Sequence, residues 1–254
     1  MWRWHGKRYL GGAHGVAGIL QIILHAPPAL LYPHTAAISS TLAYLVSLQD
    51  RTGNWPSKAP ARHDDQDREN DLVQWCHGAP GILPLLATAL ALSEPQPQPD
   101  PQPASSSHLP APALSLPPAL RPALLSALAH GAALVSARGL LRKGPGLCHG
   151  AAGNACALFC ASDALGRAGA GHRAAAASAM AGGVRLLLRC VELRGTPAFG
   201  RPDRPWSLYE GEAGLCAVLA EAVERVGSVL DGAGAGAVRE YGSGLVGYCD
   251  LVRV

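Results

Sequence analysis

A fourfold internal repeat constrains this chain more than any other feature. His14-Gly15-Val16-Ala17-Gly18, His77-Gly78-Ala79-Pro80-Gly81, His149-Gly150-Ala151-Ala152-Gly153 and Glu210-Gly211-Glu212-Ala213-Gly214 share the pattern polar-Gly-x-x-Gly. Each leads into an apolar stretch, at 19–24, 82–92, 154–159 and 215–223. The second glycines fall at 18, 81, 153 and 214, so successive units are 63, 72 and 61 residues long. That spacing holds two helices and two connections, which makes the repeat unit a helical hairpin.

Candidate partner helices lie between the motifs at 35–49, 118–142 and 171–193. Their apolar spacing is helical, and their leucine and alanine content favours helix. Pro118 suits a first turn, and Lys143-Gly144-Pro145-Gly146 supplies the residues that stop a helix. No alternating strand pattern stands out, so the fold class expected is all-α. Glycines at a helix start let backbones approach closely, and the first turn is expected to leave free N–H groups pointing at a common centre. Two stretches fall outside the repeat. Residues 94–118, rich in proline and serine, read as a low-complexity insert, extended or disordered. Residues 231–254 open on Asp-Gly-Ala-Gly-Ala-Gly and read as a mobile tail, leaving 1–230 as the folded domain.

Charge and cysteine content then exclude several classes. The formal net charge is +3 without a block of Lys or Arg, so no nucleic-acid footprint is present. Seven cysteines in 254 residues are odd in number and irregularly spaced, which argues against a disulfide framework and for a reducing, cytoplasmic setting. The apolar residues 15–24 follow Arg3, Lys7 and Arg8 but are too short for a signal peptide and lack a cleavage site. No clean apolar run of 18 residues occurs, so no membrane span is expected, and peripheral contact with the plasma membrane is the alternative to a free cytosolic protein.

The chemistry sits at one corner of the repeat. Cys76-His77 opens the second unit, Cys148-His149 the third, and His14 the first. Zinc favours thiolate and imidazole, and three protein ligands with an open fourth position make the catalytic rather than the structural form. The other reading of a free cysteine is a small hydrophobe in the core, which suits Cys156, Cys160, Cys190, Cys216 and Cys249. Paired carboxylates for sugar hydrolysis have one candidate pair, Glu210 and Glu212, in the fourth unit only.

Three stretches carry a family resemblance: Trp75-Cys76-His77-Gly78-Ala79-Pro80-Gly81, Gly146-Leu147-Cys148-His149-Gly150-Ala151-Ala152-Gly153-Asn154-Ala155 and Ser207-Leu208-Tyr209-Glu210-Gly211-Glu212-Ala213-Gly214. With Tyr9-Leu10-Gly11-Gly12-Ala13-His14-Gly15-Val16-Ala17-Gly18 ahead of them, they resemble the LanC-like proteins, eukaryotic relatives of lanthionine synthetase cyclases. The resemblance implies an α/α toroid, incomplete here relative to the seven-hairpin ring and similar to its C-terminal part. It also implies zinc held by Cys76, Cys148 and His149, proton transfer by His14, and a second acid or supporting role for His77. Lys143 matches a family lysine that contacts glutathione. The matching arginine is Gly200 here, with Arg201 or Arg204 as its stand-in. Leu72 stands where the cyclases carry an arginine, so lanthionine cyclisation is not expected. The implied activity is addition of glutathione thiolate to dehydroalanine or dehydrobutyrine residues of peptides or proteins. The alternative is a non-catalytic zinc- and glutathione-binding signalling module.

Overall fold

A computed structural model describes residues 2–59, 71–95 and 112–231. Its helices are α1 Val16–Ile23, α2 Pro28–Leu31, α3 Thr35–Ser47, α4 Ala79–Leu92, α5 Leu120–Arg138, α6 Ala151–Arg167, α7 Arg173–Leu193 and α8 Glu212–Leu230. Among the described residues strand-like pairing is confined to isolated bridges, as the sequence leads one to expect.

The motif glycines Gly15, Gly78, Gly150 and Gly211 are the N-caps of α1, α4, α6 and α8. These four helices pack side by side in that order and form an inner layer. The intervening α3, α5 and α7 form an outer layer, α3 on α5 and α5 on α7. In turn α5 lies against α4 and α6, and α7 against α6 and α8. The result is a two-layered arc of helical hairpins, the building plan of an α/α toroid.

The helix starts differ from the expected picture in one respect. Their N–H groups are not free. In α1 the amides of Val16, Ala17 and Gly18 donate to the carbonyls of Tyr9, Leu10 and Gly11. In α6 those of Ala151, Ala152 and Gly153 donate to Gly144, Pro145 and Gly146. Glu212 of α8 donates to Pro205 in the same register. The loop before each of these helices therefore folds back over the first turn and caps it with its own carbonyls. At α4 the Asn54 side chain accepts from the Ala79 N–H at 2.8 Å. This wrap explains the second glycine of the motif. A Cβ at Gly81, Gly153 or Gly214 would stand 2.1, 1.8 or 2.2 Å from the carbonyl oxygen of Trp75, Leu147 or Leu208, respectively.

Two boundaries also shift. Helix α5 starts at Leu120 rather than Pro118, because Pro117 and Pro118 belong to a turn closed by the Leu120 N–H on the Pro117 carbonyl. It stops at Gly139, four residues ahead of the expected stop. A Cβ there would meet the Val135 carbonyl oxygen at 2.4 Å.

The core runs between the layers. Trp55, Leu83, Leu86, Leu128, Leu158, Phe159 and Leu187 are buried there. The ends of the proline-rich insert join it: Leu114 is fully buried and its N–H donates to Leu92, while Glu94 pairs with Arg121 and Arg167. The insert's centre and the tail beyond Asp231 lie outside the described residues. By length and composition α5 and α7 could each cross a membrane. Leu124, Leu128 and Val135 of α5, like Gly182, Gly183 and Leu187 of α7, are buried in packing within the arc, while Leu188 and Val191 of α7 are exposed.

Candidate metal centre

The inner-helix starts are tied to one another through the loops that cap them. Gly12 N–H donates to the Trp75 carbonyl, Cys76 N–H to Cys148 and Cys148 N–H to Tyr209, at 3.1, 3.1 and 2.7 Å. Cys76 and Cys148 occupy equivalent positions of adjacent units, so this link sets their side chains against each other. Close approach is again enforced by glycine, since a Cβ on Gly11 would stand 2.2 Å from the Cys76 carbonyl oxygen.

The sulfurs of Cys76 and Cys148 and a ring nitrogen of His149 all lie within 4.8 Å of one another. Tetrahedral zinc, with Zn–S near ~2.3 Å and Zn–N near ~2.0 Å, places its ligand atoms about 3.5 to 3.8 Å apart. Small side-chain rotations close that difference. The two thiols are hydrogen-bonded to each other. The hydrogen bond from Cys148 brings Cys76 down to about 7, against its burial and with help from Gln74 and Lys143. The same bond, with burial and the charges of Cys76 and Glu210, pushes Cys148 well up. A dication held by Cys76, Cys148 and His149 would favour both thiolates, because a coordinating thiol is deprotonated outright. The donor set thus fits zinc in number, type and spacing.

Second-layer side chains fix the strand of chain ahead of Cys76. The Asn54 amide donates to the Leu72 carbonyl at 3.1 Å, and the buried Asn154 amide donates to Val73 and Gly139 at 2.9 and 2.8 Å. Gln74 donates to the Cys76 sulfur and accepts from Lys143, each at 3.1 Å.

The histidines line up beside this centre. His14 is exposed, stacked on Trp4 with ring centroids 5.6 Å apart, and Tyr9 lies edge-on to it at 6.0 Å. The same Tyr9 ring is 5.5 Å from His77. Burial, followed by the charges of His14, Lys58 and Lys143, holds His77 below the usual imidazole range, and its Nδ1 is buried without a hydrogen-bond partner. Lys143 is exposed and bonded to Gln74 beside this centre. Arg201 is exposed on the loop before α8, which rides on the Lys143 segment. The neighbouring Gly200 N–H donates to the Arg142 carbonyl, and the Pro202 ring would stand 3.2 Å from a Cβ on Gly144. The carboxylates of the fourth unit are not presented as a pair: Glu212 is bound to Arg194 at 2.9 Å, whereas the Glu210 charge bears on Cys148.

Sequence reasoning passed over Gln74, Asn54, Asn154 and the Trp4 and Tyr9 rings. The one available signal was position: Gln74 lies two residues before Cys76, and Asn154 directly follows the third glycine motif.

Layered helical hairpins whose inner-helix starts bring two thiols and an imidazole together define an α/α-toroid protein with a thiol–imidazole centre. The chain belongs to the lanthionine synthetase C-like family, whose model matches residues 1–224. It is 29% identical over 232 residues to the glutathione S-transferase LANCL1 of Danio rerio, covering 88% of this chain and 45% of that protein. It is 37% identical over 90 residues to the LanC-like protein GCL1 of Arabidopsis thaliana, covering 35% of this chain and 19% of that one. The chain thus spans less than half the length of either relative.

Proposed function

We propose that this chain binds zinc through Cys76, Cys148 and His149 and joins the glutathione thiol to dehydroalanine or dehydrobutyrine residues. The observation that carries the reading is the meeting of those three ligand atoms within 4.8 Å beside two further histidines. The name of the zebrafish relative supports glutathione as the thiol. When bound, zinc supplies a Lewis acid that keeps a thiol ionised at neutral pH. The remaining work falls to this chain's residues. Lys143 offers its ammonium, and Arg201 its guanidinium, to the carboxylates of the tripeptide. His77, whose burial favours the neutral ring, is suited to take the thiol proton, and the exposed His14 to deliver one to the acceptor. In the addition the thiol sulfur bonds to the β-carbon of the acceptor, its double bond is lost, and the proton released by the thiol is matched by the one gained at the α-carbon. The six cysteines among the described residues are free, which suits work in the reducing cytosol.

A second reading, a zinc- and glutathione-binding module without turnover, is favoured by Leu72, an exposed apolar residue where the cyclases' arginine would stand. One experiment separates the two. The purified chain is incubated with zinc, glutathione and a dehydroalanine peptide, and the peptide mass is followed. The enzyme reading expects a product heavier by one glutathione, lost in Cys148→Ala. Bound zinc and glutathione without product support the module, and failure to bind either removes both.

A further inference from the structure

Gln74 is only 6% exposed, and both ends of its side chain are engaged. Lys143 Nζ donates to Oε1, and Nε2 donates to the Cys76 sulfur, each at 3.1 Å. The chemistry of lysine removes the usual ambiguity of an amide. An ammonium has donors and no acceptor, so the oxygen end must face Lys143 and the N–H end is committed to sulfur. Sulfur must then accept, which a thiolate does more strongly than a thiol. The amide cannot swing away. Its backbone is clamped to His77 by reciprocal hydrogen bonds of 3.1 and 3.0 Å, and the preceding Val73 carbonyl is held by Asn154.

We propose that Gln74 is a positioning residue of the metal centre, which holds the Cys76 thiolate in its ligating orientation and connects it to Lys143. The inference rests on the metal-binding reading above. Residues that hydrogen-bond to metal ligands typically contribute 10- to 100-fold in metal affinity. A hydrogen bond to a ligating sulfur also lowers the energy of its lone pairs, an effect that a purely structural role would not produce.

The test uses cobalt(II) as the probe metal on the whole chain, comparing the unaltered protein with Gln74→Met and Gln74→Glu. Methionine keeps the length and removes both hydrogen bonds. Glutamate keeps the Lys143 contact but cannot donate to sulfur when ionised. Affinity is read by chelator competition, and the sulfur-to-cobalt charge-transfer band by absorption. The expected result for both variants is an affinity about tenfold or more weaker, with the band moved to longer wavelength. Affinity within twofold and an unmoved band overturn the proposal, as does weaker affinity with an unmoved band, which signals only a loosened site. Should Gln74→Met fail to fold, the nearly isosteric Gln74→Glu carries the same decision. Failure of the unaltered chain to bind cobalt overturns the metal centre and this inference together, whereas binding that is indifferent to Gln74 overturns this inference alone.

Discussion

The middle of the arc and its α8 end are built from the same repeat, yet they are held in different ways. In α6, 14 of 17 residues are buried, whereas in α8 only 4 of 19 are. The cause is the number of neighbours. α6 has α4 and α8 on its two sides and α5 and α7 behind it, so alanine, glycine and cysteine fill its whole circumference. α8 has α6 and α7, and its other face leaves Val223 71% and Leu230 81% exposed. A polar clamp helps to fasten α8. Arg225 makes a bidentate pair with Asp163 of α6 at 2.7 and 2.9 Å, bonds Glu221 at 2.6 Å, and lies 5.0 Å over the Phe159 ring. Close packing orders the middle of the arc, whereas its end combines a narrow apolar seam of Leu215, Val218 and Ala222 with the Arg225 network and the Arg194–Glu212 pair. The three ligand residues belong to the loops ahead of α4 and α6, the best-buried inner helices, which is where a site needing fixed geometry is best placed.

Substitutions in the two regions should separate sharply. Phe159→Ala is expected to lose about 3–5 kcal/mol of unfolding free energy in a denaturant titration. Val223→Ala should lose less than ~0.5 kcal/mol, and comparable losses would break the contrast. The glycines give an independent version of it. Gly153→Ala forces a Cβ to 1.8 Å from the Leu147 carbonyl oxygen and should cost about 3 kcal/mol or more. Gly227 of α8 has nothing within 4 Å of such a Cβ, and Gly227→Ala should stabilise by up to ~1 kcal/mol.

Metal should sharpen the difference rather than erase it. Zinc at about 100 times its dissociation constant should add ~2.7 kcal/mol, seen as a higher melting midpoint that disappears in Cys148→Ala. Hydrogen exchange should slow at the starts of α4 and α6 and change little along α8. A uniform slowing along the arc would contradict a local centre. Asp163→Ala should cost about 2–3 kcal/mol, below the usual range for breaking a buried pair, because Glu221 still faces Arg225. Its exchange signature should be confined to α8.

The smallest effect concerns Cys190, fully buried on α7, which burial pushes up from 9.0 to about 12. A thiol raised in the folded state contributes stability in full below pH 9 and loses it as pH climbs toward 12. Cys190→Ala should therefore flatten the alkaline end of the stability profile. Mass mapping after mild alkylation at pH 8 should find Cys216 modified and Cys190 untouched, since only Cys216 of the two is exposed. The reverse pattern would place α7 wrongly against α6.

Much of this architecture was legible because a repeat announces its own layers. Four glycine motifs marked four inner helices, and the stretches between them marked the outer ones. The meeting of Cys76 and Cys148 was legible for the same reason, because residues at equivalent positions of neighbouring units come together, whereas the choice of His149 beside them came from the family resemblance. What escaped had partners that only the folded chain supplies. Asn154 reaches back 81 residues to Val73, and Lys143 reaches 69 to Gln74. An isolated amide has no pattern to betray it. The fate of the helix-start N–H groups escaped because it depends on the path of the preceding loop, not on the motif itself. Helix α5 ends at Arg138, before the more conspicuous Gly144-Pro145-Gly146 is reached, and Gly139 closes it with its N–H on the Val135 carbonyl.

The hydrogen bonds running Gly12 to Trp75, Cys76 to Cys148 and Cys148 to Tyr209 all point the same way around the arc. Each hairpin passes its register to the next without reference to a common axis. The thiol–imidazole centre consequently draws on three successive modules: its ligands come from two of them, and the Cys148 backbone is held by Tyr209 of the third. Loss of the α8 hairpin would therefore release the Cys148 amide and reach the centre itself, not only the end of the arc.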